Sequence, residues 1–439
     1  MSMAVAIAVL EQHARTRARE NASCSSYWMD SAGVADFTSD GRPPSELDFA
    51  IVGGGLAGLS TAIRLKEAEP GARVAVIEAY HVGFGASGRN GGLMSPLPAP
   101  VWLVSAEENI EHAWALGWLH RKVAETAGWL STIATSADVR PETLRLQASG
   151  PVTACALAEI SRTLSASGIE HALVDGEGRR CAIELAAHTV HPMRLVRALA
   201  RYAQELGVTV HENVAVEQIA PEAERARLVL AGGDSVIAGR AIVASNAYTT
   251  RALAGEKVAA SVVHNYMMAT SVERTRTLQP FVVELNHAYA FYREHAGSVV
   301  YGGIERFREA EGGPYAVPRD VLAGLGRLME KSLGRRPGAV SHAWGGRYHQ
   351  TANDLPVIRS SRHSPAIILN VGYGGTGVAM TTVCASVTAA VALGGRYRDE
   401  EERRFHDVMT RTRVPVRAGA KFAARVAGAL VMKTVGGRR

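Results

Sequence analysis

The chain has 439 residues, more than one ordinary hydrophobic core holds, so two or three domains are expected. Apolar residues make up 47% and charged residues 21%, the balance of a soluble globular protein, and no stretch reaches bilayer-spanning length without charges. The formal net charge is +6. Part of it sits in residues 411–439, which carry Lys and Arg but no Asp or Glu. That stretch reads as a solvated helix end rather than a nucleic-acid or membrane-binding surface.

In chain order, the apolar run Met1–Leu10 comes first. It has no preceding positive charge and no small-residue cleavage site close behind, so it reads neither as a signal peptide nor as a span, and a cytoplasmic location is expected. The cysteines, Cys24, Cys155, Cys181 and Cys384, are scattered without metal-ligand spacing. They read as free thiols, and no metal site is expected. Residues 1–45 form an N-terminal extension. Phe49-Ala50-Ile51-Val52 then reads as a strand buried on both faces, Leu59–Leu65 as a helix closed by Pro70-Gly71, and Val74–Ile77 as a second buried strand: one βαβ unit.

Further along, residues 106–135 read as a helix, 152–186 as mixed, and Pro192–Leu206 as a helix before the strand Val208–Val210. Leu228–Ala231 and Ala241–Ala244 read as strands, with a hairpin turn at Gly232-Gly233-Asp234. Residues 262–304, with aromatics at Tyr289, Phe291 and Tyr292, suggest antiparallel strands, and 319–333 a helix. Ile367–Val371 is a last buried strand, followed by a small-residue helix over Thr376–Leu393. The order implies a nucleotide domain (46–98, 187–258, 361–395) interrupted by a second one (99–186, 259–360), with a basic segment at 396–439.

Gly53-x-Gly55-x-x-Gly58 directly follows a buried strand and opens a helix. Those glycines allow a tight turn, close approach of backbone to a pyrophosphate, and close helix–sheet packing, and the helix N-terminus offers free N–H groups to the phosphates. Glu78 ends the second strand, where a carboxylate accepts from a ribose 2′-OH and repels a 2′-phosphate. A second small-residue loop, Gly83-Phe84-Gly85-Ala86-Ser87-Gly88-Arg89-Asn90-Gly91-Gly92, comes next and suggests backbone packed on a bulky flat group. Gly372-Tyr373-Gly374-Gly375-Thr376-Gly377 repeats the strand–glycine–helix arrangement. A helix N-terminus there favours the negative charge that a reduced flavin carries, though the loop also reads as a plain tight turn.

With these motifs the chain resembles the D-amino-acid oxidase-like FAD-dependent oxidoreductases, which include glycine and sarcosine oxidases, and looks closest to the gamma-glutamylputrescine oxidase branch. The residues that carry the likeness are Ser26-Tyr27-Trp28, Gly53–Gly58, Glu78, Gly83–Gly92, His191-Pro192, Gly207–Ile219 and Gly372–Gly377. The resemblance implies an α/β fold in which a Rossmann-type (GR2-like) FAD-binding domain is interrupted by an α+β substrate domain with an antiparallel sheet. It implies FAD contacts at Gly53, Gly55, Leu56, Ala57, Gly58, Glu78, Ala79, Gly85, Ala86, Ser87, Arg89, Asn90 and Gly91. Further contacts are implied at Val216, Ala244, Ser245, Gly372, Gly374, Gly375, Thr376, Gly377 and Val378. Where sarcosine oxidases carry a carboxylate-holding lysine, this chain has Ala379. Their flavin-bonding cysteine falls near Arg347, their oxygen-activating lysine near Val300 and their active-site histidine near Ile304. Non-covalent FAD is therefore expected, and a substrate held as sarcosine is held is not.

The chemistry expected is oxidation of a C–N bond in a small amine or amino acid derivative, the amine reacting in its neutral form. Oxygen or another acceptor takes the electrons. A dehydrogenase of the same fold and a non-catalytic FAD-binding protein are the alternatives. Tyr348, Arg347, Tyr292 and Tyr301 are the candidate catalytic residues, with Tyr266, Arg293 and His349 on the same segments. His191 and His264 read as structural, and Met267-Met268 as core.

Overall fold

The computed structural model describes residues 25–35, 37–97, 110–148, 150–176, 180–254, 256–271, 281–285, 290–307 and 315–412. Met1–Leu10, Cys24, Tyr289, the expected helix start at 106–109 and the basic tail from 413 onward lie outside them.

A short helix α1 (Tyr27–Ser31) precedes β1 (Glu46–Val52), α2 (Leu56–Ala68), β2 (Val74–Ile77), β3 (Leu93–Met94) and α3 (Ile110–Ile133). Then come β4 (Arg140–Ala148), α4 (Pro151–Ala166), β5 (Ala172–Gly176), β6 (Arg180–Thr189), α5 (Pro192–Glu205) and β7 (Thr209–His211). They are followed by β8 (Val216–Glu222), β9 (Arg225–Leu230), β10 (Ser235–Val243), α6 (Arg251–Ala254), β11 (Ala260–Ser271) and β12 (Phe281–Leu285). The last are β13 (Phe291–His295), β14 (Ser298–Arg306), α7 (Arg319–Leu333), β15 (Val340–Thr351), β16 (Val357–Ser361), β17 (Ser364–Val371), α8 (Gly377–Ala392) and α9 (Glu400–Arg411).

The strands form two sheets. In the first, β7, β2, β1, β10 and β17 run parallel, β16 pairs antiparallel to β17, and the β8–β9 ribbon hangs from β10. Central strands of this sheet are buried on both faces, as their unbroken apolar runs require. The chain leaves β1 toward β2 on one side and returns as β10 on the other, so the C-terminal end of β1 is a topological switch point, where such sheets bind ligands. The second sheet runs β15-β11-β14-β13-β12-β4-β6-β3, antiparallel except for β12 on β4. Leu93–Met94, expected in the first unit, pairs with β6 in this second sheet, and Val357–Ser361, expected mostly in the second, pairs in the first.

Helix α8 is apolar nearly all round, and its sequence would fit a membrane span by length, yet most of it is buried against the protein. Its hydroxyls return to the helix's own carbonyls: Thr381 Oγ1 donates to Gly377 O (2.6 Å) and Thr388 Oγ1 to Cys384 O (3.0 Å), so neither hydroxyl is stranded. Helix α9, inside the segment expected to be basic, begins Glu400-Glu401-Glu402 and stacks Phe405 on Trp118 of α3 (centroids 4.2 Å apart).

Candidate active site

At the switch point the glycines do what their spacing predicts. Gly53 has φ +118°, and a Cβ there would lie 2.7 Å from Ala244 O. A Cβ on Gly58 would overlap Gly53 O, and one on Gly55 would lie 2.8 Å from Ser87 Oγ. Ser87 Oγ accepts from Leu56 N (3.0 Å) and so caps the first turn of α2, which has no side-chain cap of its own. Glu78 accepts from Gly54 N (2.7 Å) and from its neighbour Tyr80 N (2.9 Å). A carboxylate has about four lone-pair sites, so with its backbone partners Gly54, Tyr80 and Ala79 it keeps room to accept a further donor. Burial pushes its carboxyl up, and these backbone N–H groups pull it back. A cradle that any Cβ would fill, closed by a hydroxyl and a carboxylate, fits a dinucleotide.

The second glycine loop is held from three sides. Ser26 Oγ donates to Gly88 O (2.8 Å), Trp28 Nε1 to Asn90 O (2.6 Å) and Trp344 Nε1 to Arg89 O (2.9 Å). Asn90 spends its side chain inside the loop, donating to Ser87 O (2.8 Å) and accepting from Gly92 N (2.8 Å). Arg89 is buried, donates from Nε to Phe84 O (2.8 Å) and lies 4.3 Å over the Tyr315 ring.

Between the two sheets lies an open cavity of about 200 Å³. Of the expected FAD contacts, Gly55, Leu56, Ala57, Ala86, Ser87, Arg89, Asn90, Gly91, Ala244, Gly374, Gly375, Thr376, Gly377 and Val378 line it. The last four stand at the N-terminus of α8, a 16-residue helix whose dipole end faces the cavity. Gly53, Gly58 and Gly372 (φ +88°) instead shape the turns. Glu78, Ala79, Gly85, Val216 and Ser245 are not among its lining residues; Ser245 Oγ pairs with Thr249 Oγ1 at 2.9 Å.

The catalytic candidates divide. Tyr348 lines the cavity. Tyr292 and Tyr301 do not: they stack on each other (5.5 Å) in an apolar cluster with Tyr266, Met268 and Val321 of α7, on the far face of the sheet. Strand alternation is the reason, since Tyr301 faces away from the cavity whenever Gly302 faces it. Arg347 is one residue out of phase with Tyr348 and lies 4.0 Å over the Tyr248 ring. Arg293 is spent on Gly92 O (3.0 Å) and Val190 O (3.2 Å) beneath Trp28. His349 is buried and absent from the lining, with its imidazole pushed down by burial. His191 caps α5, its pKa pushed down to about 3 by burial. Met267 and Met268 are both core, as expected, and Met267 also borders the cavity. Because Tyr301 Oη only meets Ser332 Oγ (3.0 Å), Tyr301→Phe should leave turnover within about twofold and cost ~1 kcal/mol of stability. A thermal melt and a flavin-reduction rate check this; a tenfold slower reduction at full FAD content would return Tyr301 to the site.

Glu305 and Asn265 line the cavity without having been singled out from sequence, and Phe291, read there only as a strand aromatic, lines it too. Glu305 reaches it through a bulge. The β11–β14 register shifts by one residue between His264 and Tyr266, where Gly303 has φ +154° and Ile304 +59°. Val300 and Gly302 face inward before the bulge; an unbroken strand would turn Glu305 outward with Tyr301. Instead its carboxylate accepts the Tyr348 hydroxyl. Burial pushes the Glu305 carboxyl up, the Tyr348 hydrogen bond pulls it down, and Asp354 pushes it up again.

The family model described as "DAO: FAD dependent oxidoreductase" matches residues 48–391. Among curated proteins, the chain is 27% identical over 372 residues to a probable oxidoreductase OrdL of Rhizobium meliloti (strain 1021), covering 79% of this chain and 83% of that one. It is 26% identical over 378 residues to gamma-glutamylputrescine oxidoreductase of Escherichia coli (strain K12), covering 80% and 84%. Among solved structures, glycine oxidase from Geobacillus kaustophilus superposes with a TM-score of 0.69 at 18% identity, covering 81% of this chain and 96% of the other.

Proposed function

The chain belongs to the FAD-dependent oxidoreductases of the DAO family, and from that premise we propose that it oxidises the C–N bond of a small amine or amino acid derivative to an imine, which water hydrolyses. The observation that carries this reading is the cavity itself. One wall is the glycine loops and the α8 N-terminus; the other is the inner face of the second sheet, apolar and aromatic around a single carboxylate among the described lining residues, Glu305. A neutral amine is favoured by such walls, and a carboxylate is the natural partner of its protonated form. The curated relative named for gamma-glutamylputrescine supports an amine donor.

The turn Gly53–Gly58 and Ser87 would hold the FAD pyrophosphate, Glu78 the adenosine ribose, and the 86–91 loop with the α8 N-terminus the isoalloxazine. When bound, the flavin supplies the two-electron oxidation. The residues around it orient the donor and shut out water; the aromatics Phe281 and Phe291 (centroids 6.3 Å apart) form part of that screen. Among the described cysteines, none lines the cavity, which accords with non-covalent FAD. One observation favours an acceptor other than oxygen: Val300 sits buried with Met267, Ala269 and Trp344, an apolar setting where the resemblance puts an oxygen-activating lysine.

The test is anaerobic bleaching. FAD-loaded protein screened against polyamines, alkylamines and amino acids should lose its visible flavin band with at least one of them, and the comparison of peroxide yield with dye reduction under air then separates oxidase from dehydrogenase. A flavin band that no amine bleaches would sink the reading.

A further inference from the structure

Resting on that C–N reading, we propose that Glu305 accepts the proton of the substrate's ammonium, that Tyr348 positions it, and that the donor is an alkylammonium without an α-carboxylate. The argument begins with the bulge. Gly303 and Ile304 hold positive φ, at +154° and +59°. Non-glycine residues avoid that backbone region, so Ile304 is held there against its preference by the surrounding sheet. Its consequence is to turn one carboxylate from the α7 side into the cavity. There Glu305 stands beside Tyr348 and Asn265, with Met267 and Phe291 on the same wall.

The placement of charge on this wall, rather than its net balance, points to a cation beside Glu305. Among the described lining residues, Glu305 is the acidic side chain and Arg89 the basic one. Arg89 has its Nε on Phe84 O and its guanidinium on the Tyr315 ring. Tyr373 donates its hydroxyl to Asn370 Oδ1. An ammonium beside Glu305 gains a strong attraction in this low-dielectric setting, whereas an α-carboxylate would meet like charge.

The step is a proton transfer. An N–H bond of the ammonium breaks and an O–H bond forms on Glu305; the electron pair stays on nitrogen, giving a neutral amine and a carboxylic acid. No oxidant or reductant takes part. The acceptor's strength is set by burial, by Tyr348 on β15 and by Asp354 in the turn beyond it, and Arg89 lines the same cavity. On its own strand, Arg306 pairs with Asp320 of α7, and His264 lies opposite it on β11. Activity therefore falls as pH drops through the Glu305 pKa. Losing the Tyr348 donor raises that pKa and moves the acidic limb upward.

FAD-loaded wild type, Glu305→Gln and Tyr348→Phe are mixed anaerobically with n-pentylamine between about pH 6 and pH 10, and FAD content is read from the visible spectrum. Near neutrality Glu305→Gln should bleach ~10²–10³-fold more slowly than wild type. Its rate should rise about tenfold per pH unit as the free amine accumulates, approaching wild type near the ammonium's own pKa. Loss of a merely structural carboxylate would not be rescued in this way. Glu305→Gln that holds FAD and keeps the wild-type profile overturns the proposal. If that variant does not load FAD, Tyr348→Phe decides: an acidic limb moved upward supports the role and an unmoved limb overturns it. Pentylamine should bleach at least ~10-fold faster than norleucine, its α-carboxylated counterpart, the scale expected of one like-charge contact; the reverse order overturns the substrate class. A wild type that no amine bleaches sinks the C–N reading itself, whereas a reactive wild type with an unchanged Glu305→Gln profile sinks only the proton-acceptor role.

Discussion

Gly53→Ala is expected to yield a protein that purifies without flavin and melts several degrees below wild type. Two costs coincide at this position. The φ of +118° lies where an L-residue is strained, and the new Cβ would stand 2.7 Å from Ala244 O and 3.0 Å from its carbonyl carbon. Strain of this type costs ~1–3 kcal/mol before any overlap is counted. The contact is backbone on backbone, so it is relieved only by moving β10 away from the β1 turn. That movement displaces Ala244, which lines the cavity, and swings the first N–H groups of α2 out of line. Binding then suffers more than folding, because the pyrophosphate needs all these donors at once while the core of the sheet needs none of them. The measurements are visible absorbance per protein after gel filtration, with and without added FAD, and a thermal melt of each. Gly71→Ala is the control, since a Cβ there meets nothing within 4 Å. A Gly53→Ala protein that stays fully yellow would mean that the turn does not grip the cofactor.

How much of the fold is legible in the sequence depends on how each part is buried. The parallel sheet is readable because its strands, buried on both faces, are unbroken apolar runs, and because the glycine spacing has a fixed purpose at the end of β1. The same property hides the orientation of the second sheet. β14 is buried over Val299–Gly303 on both faces, so no polar–apolar alternation says which of its residues look into the cavity. Tyr292 and Tyr301 are for that reason as eligible as Tyr348, and only α7 on the far side decides against them. Glu305 has one readable signal: Gly302-Gly303 inside a strand marks a bulge or a close approach. Both occur here, since a Cβ on Gly302 would overlap the Phe291 ring, and the bulge switches the face to which the later residues of β14 point. That switch depends on the register against β11, a long-range pairing that local pattern does not encode.

Trp28→Ala should be the most damaging substitution outside the glycine turn, and it tests whether the N-terminal segment belongs to the cofactor site. Trp28 is fully buried, although it stands on a helix of five residues that precedes the first strand. Its ring meets Tyr27 (5.0 Å), His191 (5.1 Å) and His295 (4.9 Å) edge-on, and Arg293 lies 5.2 Å over it. Burial and the neighbouring arginines push both histidines down, to about 3 for His191 and about 4 for His295, so they stay neutral at ordinary pH and Arg293 is the charged member of this cluster. Arg293 in turn donates to Gly92 O, and Trp28 to Asn90 O, so the two side chains fix opposite ends of the turn just after Arg89. Truncation to alanine removes the packing, worth ~3–5 kcal/mol, and leaves Asn90 O without its donor. Trp28→Phe separates the terms, because it keeps most of the volume and loses only the hydrogen bond, at ~1–3 kcal/mol. If the segment serves the loop, Trp28→Phe should lower FAD affinity by more than it lowers the melting temperature of the FAD-free protein. Equal losses in both would reduce Trp28 to a core residue, and unchanged FAD affinity in Trp28→Ala would separate α1 from the cofactor site altogether.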